Sequence, residues 1–203
     1  MTTPSSARDQ VDRDVKAALA AGDRDGATEL ALRAYGPELI GWLCSILSSE
    51  GDAHEAFSEL SEALWRSLAR FDGRCTVRTW CYMLARQAAG RVRAEPRRAR
   101  EQLVSSVPSL MHAVTHVWNT TRVAAQRERD VYAEIRRELD EDDQTLLVLR
   151  VDRDLPWRDI AIVMLGEDAN EDEVTRRAAA LRKQFERVKE QLRALATERL
   201  GDE

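Results

Sequence analysis

Apolar residues recur along this chain at intervals of three and four, and no stretch alternates apolar with polar positions as a half-buried strand would. The spacing predicts an all-α protein of two small helical domains joined by a linker. The clearest stripe is Val77, Trp80, Cys81, Leu84, Ala85, Ala88 and Val92, one buried helix face that ends at Pro96. Upstream, one helix over about 10–21 stops near Gly22, and a second opens near Asp25 with Ala27, Leu30, Ala31 and Ala34. Gly36-Pro37 reads as a break, with Pro37 at the first position of a third helix that carries Leu39, Ile40, Leu43, Ile46 and Leu47. A fourth opens at Asp52 and buries Phe57, Leu60, Leu64 and Leu68, and Phe71-Asp72-Gly73 turns the chain into the tryptophan-bearing stripe.

Residues 99–125 are richer in serine, threonine and proline-type breakers and read as the linker between a first domain at 1–98 and a second at 126–203. The second domain begins with a helix over 126–138. Asp140 is placed to cap another that runs to Arg150. Pro156 starts a short helix with Trp157, Ile160, Ala161 and Met164, which Gly166 stops. A long helix follows on the seam Val174, Ala178, Leu181, Phe185, Val188, Leu192 and Leu195. A short helix, a turn and a longer helix predict a helix-turn-helix.

Every apolar run is short and interrupted and the first residues have no apolar core, so the chain reads as cytoplasmic, without a membrane span or signal peptide. Cys44, Cys75 and Cys81 lack the close pair spacing of a disulfide scaffold or zinc site and read as small buried hydrophobes. His112 and His116 are four apart but have no acidic or thiol partner at ligand spacing, and His54 reads as solvent-facing, so no metal or cofactor is expected. No nucleophile–histidine pairing, carboxylate cleft or glycine-rich phosphate loop suggests an enzyme.

Charge narrows the picture further. The net charge is −5, which argues against general affinity for nucleic acid, yet the sign is unevenly spread. Arg86, Arg91, Arg93, Arg97, Arg98 and Arg100 gather at the end of the tryptophan-bearing helix, opposed by Glu95 alone. Screening acts over about 8 Å at physiological salt, so local charge decides a phosphate contact. The planar guanidinium fork suits phosphate, and a basic helix end beside an aromatic side chain suits nucleic acid. In the predicted helix-turn-helix, Thr175, Arg176, Arg177, Arg182 and Lys183 occupy the first turns of the second helix, where such a motif faces base edges. Glu167, Asp168, Glu171, Asp172 and Glu173 precede them and would repel a phosphate backbone.

With both basic motifs in view, the chain resembles bacterial RNA polymerase sigma factors of the extracytoplasmic-function type, over about 35–98 and 126–197. Residues 51–71, with Ala53, Glu59, Leu64 and Trp65, are similar to the polymerase-binding helix of that family. The stretch holding Trp80, Tyr82, Ala85, Arg86 and Arg93 is similar to its promoter-melting and start-proximal reading segment. Residues 139–166 resemble the opening of its upstream-reading domain. The resemblance implies polymerase contact by Ala53, Glu55, Glu59, Glu62 and Trp65. It implies start-proximal DNA contact by Arg78, Trp80, Arg86, Gln87, Arg91 and Arg93, and upstream contact by Thr175, Arg176, Arg177, Arg182 and Lys183. Core RNA polymerase and promoter DNA are the implied partners, an anti-sigma factor clamping between the domains is a further one, and the free chain is expected to be a monomer. The competing expectation is a sigma-like helical adaptor or regulator that binds polymerase or a partner protein without initiating transcription.

Overall fold

The structure, a computed structural model, describes residues 4–47, 49–94 and 138–201. The expected helix over 126–138, apart from its last residue, the linker at 99–125, His112, His116 and Arg97, Arg98 and Arg100 lie outside the described residues. Among the described residues the chain is all-α, with no strand. Contacts divide it into two units, residues 1–125 and 126–203, each described by itself below.

Among the described residues the first unit has four helices: α1 (Pro4–Ala20), α2 (Arg24–Ile46), α3 (Glu50–Ser67) and α4 (Val77–Ala94), with one 3₁₀ turn at Leu68–Arg70 after α3. Asp23 caps α2 by accepting from the Gly26 amide at 2.8 Å. A Cβ at position 26 would overlap the Asp23 carboxylate, so a larger residue there would displace the cap. Ser49, rather than a residue near Asp52, caps α3, its hydroxyl accepting from the Asp52 amide at 3.0 Å. The start of α4 is held twice: the Thr79 amide donates to the Thr76 hydroxyl at 3.1 Å, and the Val77 amide donates to the Asp12 carboxylate of α1 at 3.2 Å.

The expected break at Gly36-Pro37 does not occur; α2 runs straight through it. An interior proline removes one ladder bond and crowds the preceding turn, at a cost of about 3 kcal/mol. Gly36 lacks the Cβ that normally drives the residue before a proline out of helical geometry. Packing supplies the rest, since Ala31, Leu32 and Tyr35 before the proline and Leu39, Ile40, Trp42 and Leu43 after it are all buried in one core. Trp42 meets Tyr82 of α4 edge to face, with centroids 5.6 Å apart. Phe57, Leu60 and Leu64 of α3 complete that core, with no exposed surface.

The second unit has α5 (Glu141–Leu147), extended by a π-helical turn at Val148–Asp152, then α6 (Trp157–Leu165) and α7 (Glu171–Gly201). Asp140 caps α5 as expected, accepting from the Asp143 amide at 2.8 Å. Gly166 ends α6 at φ 99°, a left-handed conformation open to glycine at little cost. The α7 seam is buried at Val174, Ala178, Leu181 and Val188. Leu139, Leu147 and Val188 form a cluster that Phe185 and Leu192 cover. Trp157 meets Phe185 edge to face at 5.5 Å, tying α6 to α7.

Candidate nucleic-acid interface

Helix α4 divides into an inward half and an outward half. Every residue from Val77 to Ala85 is buried, whereas Gln87, Gly90, Arg91, Arg93 and Ala94 are exposed and Arg86 is half-buried. At 100° per residue, Gly90 and Ala94 lie mid-face, with Gln87 and Arg91 to one side and Arg86 and Arg93 to the other. Four of the six residues expected at the start-proximal surface therefore share one solvent-facing strip.

Arg78 and Trp80 do not join it. Arg78 is 6% exposed, and its guanidinium donates from Nε and Nη2 to the two carboxylate oxygens of Glu38 at 2.7 and 2.9 Å. It also lies over the Tyr82 ring at 5.6 Å. Burial by itself would lower the Arg78 pKa, but the hydrogen bonds and charge of Glu38 override it and leave the group raised, so Arg78 stays charged. The Arg78 fork joins α4 to α2, which places it off the strip. Trp80 is equally inward, 6% exposed, with its indole N–H donating to the Ser67 hydroxyl at 3.2 Å and its ring edge to face with Phe71 at 5.5 Å. Its place two positions before Tyr82, on the buried stripe, makes it a core residue of the α3–α4 corner. In this conformation it offers no face to a base.

The outward arginines are held by the protein as well. Arg91 donates from Nε to Glu59 of α3 at 2.9 Å, and Arg93 donates to the Ile46 carbonyl at the end of α2 at 2.6 Å. A guanidinium at a helix C-terminus satisfies an orphan carbonyl and complements the dipole. Both side chains remain exposed.

On α3, Glu55, Glu59 and Glu62 lie within one narrow sector of the helix, all half-buried. Glu62 pairs with Arg66 one turn on. Trp65 is half-buried, with its indole N–H on Asp25 at 2.7 Å and the Arg24 guanidinium 4.9 Å above its ring. Ala53 is fully buried and packs the unit's interior.

In the second unit Thr175, Arg176, Arg182 and Lys183 are exposed and Arg177 is half-buried. They wrap around α7 instead of forming one strip: Thr175 and Arg182 lie on one flank of the seam, Arg177 on the other, and Arg176 and Lys183 face away from it. Arg177, Arg182 and Lys183 make no ion pair among the described residues. The acidic run before them is partly accounted for. Asn170 and Glu173 form a reciprocal capping box, the Glu173 amide donating to Asn170 Oδ1 at 3.0 Å and the Asn170 amide donating to Glu173 Oε2 at 2.9 Å. Glu171 accepts from Arg158 of α6 at 2.6 Å. Two of the carboxylates expected to repel phosphate thus hold the α6–α7 turn. Sequence reasoning missed this box although the Asn-x-x-Glu spacing carries its signal.

The three cysteines are free, Cys81 buried and Cys44 and Cys75 half-buried. Burial, then the charge of Glu38, pushes the Cys81 thiol far up, which makes it inert as a nucleophile. No group of three or more histidine, cysteine or acidic side chains suited to a metal occurs among the described residues. Nor is any helix among them long and apolar enough to cross a membrane.

Residues 31–98 match the family model of sigma-70 region 2, a non-enzymatic transcription-factor domain whose members bind core RNA polymerase and promoter DNA. The match takes in α2 from Ala31, all of α3 and all of α4, the elements that carry the acidic sector and the basic strip. Over that segment the chain is similar to sigma-70 region 2. No curated protein and no solved structure matches the chain.

Proposed function

We propose that this chain is a dissociable sigma factor of the extracytoplasmic-function type that directs promoter-specific transcription initiation in the cytoplasm. The observation that carries the reading is the sigma-70 region 2 match over 31–98, which falls on the two helices bearing the acidic and basic surfaces. Glu55, Glu59, Glu62 and Trp65 of α3 dock on a basic, arginine-bearing surface of core polymerase. Acidic residues on such a face raise encounter rate and fix orientation more than they add affinity. Arg86, Gln87, Arg91 and Arg93 then engage the start-proximal element. An opened strand offers unstacked bases and phosphates to guanidinium planes, at about 1–3 kcal/mol per stacked base.

In the second unit, α6 and α7 act as a helix-turn-helix that holds the upstream element as duplex, with Thr175 and Arg182 on one flank and Arg176 and Lys183 across the outer face. The net charge of −5 keeps the free monomer from binding DNA broadly, and the polymerase supplies the missing affinity. An anti-sigma factor that covers either surface would hold the chain inactive.

Reconstitution tests the reading. The purified chain is added to core polymerase with fragmented genomic DNA, and transcript 5′ ends are mapped. Starts that cluster behind one shared pair of elements are expected. Polymerase binding without any promoter-dependent transcript would replace this reading with the sigma-like adaptor, and absence of polymerase binding would remove both.

A further inference from the structure

We propose that the Glu59–Arg91 ion pair is a latch that couples polymerase docking to DNA contact, an inference that rests on the sigma-factor reading. Glu59 belongs to the acidic sector of α3 and Arg91 to the basic strip of α4. The structure joins them directly, Nε to Oε2 at 2.9 Å, across the boundary between the two surfaces. Glu59 is the more enclosed partner, its side chain 21% exposed against 47% for Arg91. In the unbound chain each surface therefore spends one charge on neutralising the other.

A basic polymerase surface competes with Arg91 for the Glu59 carboxylate. Once Glu59 turns to that partner, the Arg91 guanidinium gains a full set of donors for a phosphate. The same competition runs backwards, because phosphate at Arg91 leaves Glu59 open to the polymerase. Coupling between two binding events is reciprocal by thermodynamic necessity. Its size is set by the pair that must break, and for a partly exposed pair that amounts to about 2- to 5-fold in affinity. The device makes DNA contact follow polymerase contact without any change of fold. Arg93 is not part of it, since its partner is a backbone carbonyl that the polymerase surface does not compete for.

The test uses the full-length chain and two probes: a fluorescein-labelled random-sequence DNA single strand at low salt, and purified core polymerase. Glu59→Gln is expected to raise affinity for the strand about 2- to 5-fold. It is also expected to steepen the dependence of log K on log salt by about 0.7, the contribution of one added phosphate contact. Arg91→Gln is expected to weaken strand binding and to strengthen polymerase binding in the absence of DNA. In the Glu59→Gln/Arg91→Gln double variant the gain in strand affinity disappears, which separates the latch from a general loss of negative charge. A gain that persists in the double variant overturns the proposal, as does a Glu59→Gln variant that binds the strand no better than the parent. Failure of the sigma reading looks different: the parent chain then binds neither core polymerase nor DNA in its presence, whatever stands at 59 and 91.

Discussion

The two units each set an arginine over an aromatic ring, and the difference between them shows how this protein divides its positive charge. In the first unit, Arg78 lies over Tyr82, buried and forked onto Glu38. In the second, Arg150 lies 4.9 Å over Trp157, a third exposed, and donates to the Leu155 carbonyl at 3.0 Å. The same contrast extends to the surfaces. Arg91 and Arg93 of the first unit are fixed by Glu59 and by the end of α2, whereas Arg177, Arg182 and Lys183 of the second make no ion pair among the described residues. A tethered guanidinium has already lost rotamer freedom, so a ligand meets a pre-organised but partly neutralised surface. An untethered one keeps its whole charge, and its ordering cost falls on the moment of binding. The first unit thus presents tethered guanidinium groups, and the second presents cationic side chains without ion pairs among the described residues.

The sharpest way to break this contrast is to cut the charge at its most and least buried positions. Arg78→Ala leaves the half-buried Glu38 without its fork, and stranding such a partly enclosed carboxylate costs about 1–3 kcal/mol. Amide hydrogen exchange across α2 and α4 should accelerate accordingly, while α5–α7 keep their protection. Arg182→Ala, at an exposed position, should change the stability of the second unit by no more than about 0.5 kcal/mol. Equal costs for the two substitutions, in chemical denaturation followed by exchange, would end the distinction between structural and surface arginines.

A smaller effect tests the α6–α7 turn. Asn170→Ala removes one half of the capping box and should cost the second unit about 1 kcal/mol. It also unties Glu173, so weaker DNA binding should accompany the lower melting temperature. If stability falls and DNA binding rises, the box is not what shields phosphate from the acidic turn. In the first unit the corresponding change stabilises. A Cβ at Gly90 meets nothing within 4 Å, so Gly90→Ala should raise stability by about 0.8–1 kcal/mol. A melting temperature that falls instead would mean the strip is more crowded than its geometry shows.

These sites also mark how far the residues themselves disclosed the arrangement. The α4 stripe, the Asp140 cap, the Gly166 stop and the α7 seam were all legible, because each depends on spacing within one helix or on a residue's own backbone preference. Pro37 misled for the complementary reason. Its local cost is real, but the packing of Leu32, Tyr35, Leu39 and Trp42 outweighs it, and that packing comes from α3 and α4. Arg78 and Trp80 carried the residue types of a nucleic-acid surface, and what removed them was Glu38 and Ser67 on other helices. Charge written in a motif says nothing of its partner forty positions away. The Glu59–Arg91 pair was hidden in the same way, although charge had placed Arg91 and resemblance Glu59 on candidate surfaces.

The finest distinction between the units is one of pH, and it sits at Asp143. Burial, against the opposing bond from Gln184 Nε2 at 2.6 Å, raises the Asp143 pKa above the ordinary aspartate value. Asp140 adds repulsion, and Arg187 of α7 offsets part of it. Between the unfolded and the folded pKa, the folded unit binds more protons than the unfolded one, so stability falls as pH rises through that window. Above the folded pKa a constant penalty remains. Asp143→Asn keeps an oxygen for Gln184 and removes the charge, so it should abolish this part of the decline and leave the second unit slightly more stable at neutral pH. The measurement is the difference in α5–α7 exchange protection between parent and variant, followed from the acid range to neutrality. A difference that is flat with pH, or that favours the parent above the window, would show that Gln184 and Arg187 hold the carboxylate more strongly than burial opposes it. In that case the second unit, like the first, stabilises its charges from within.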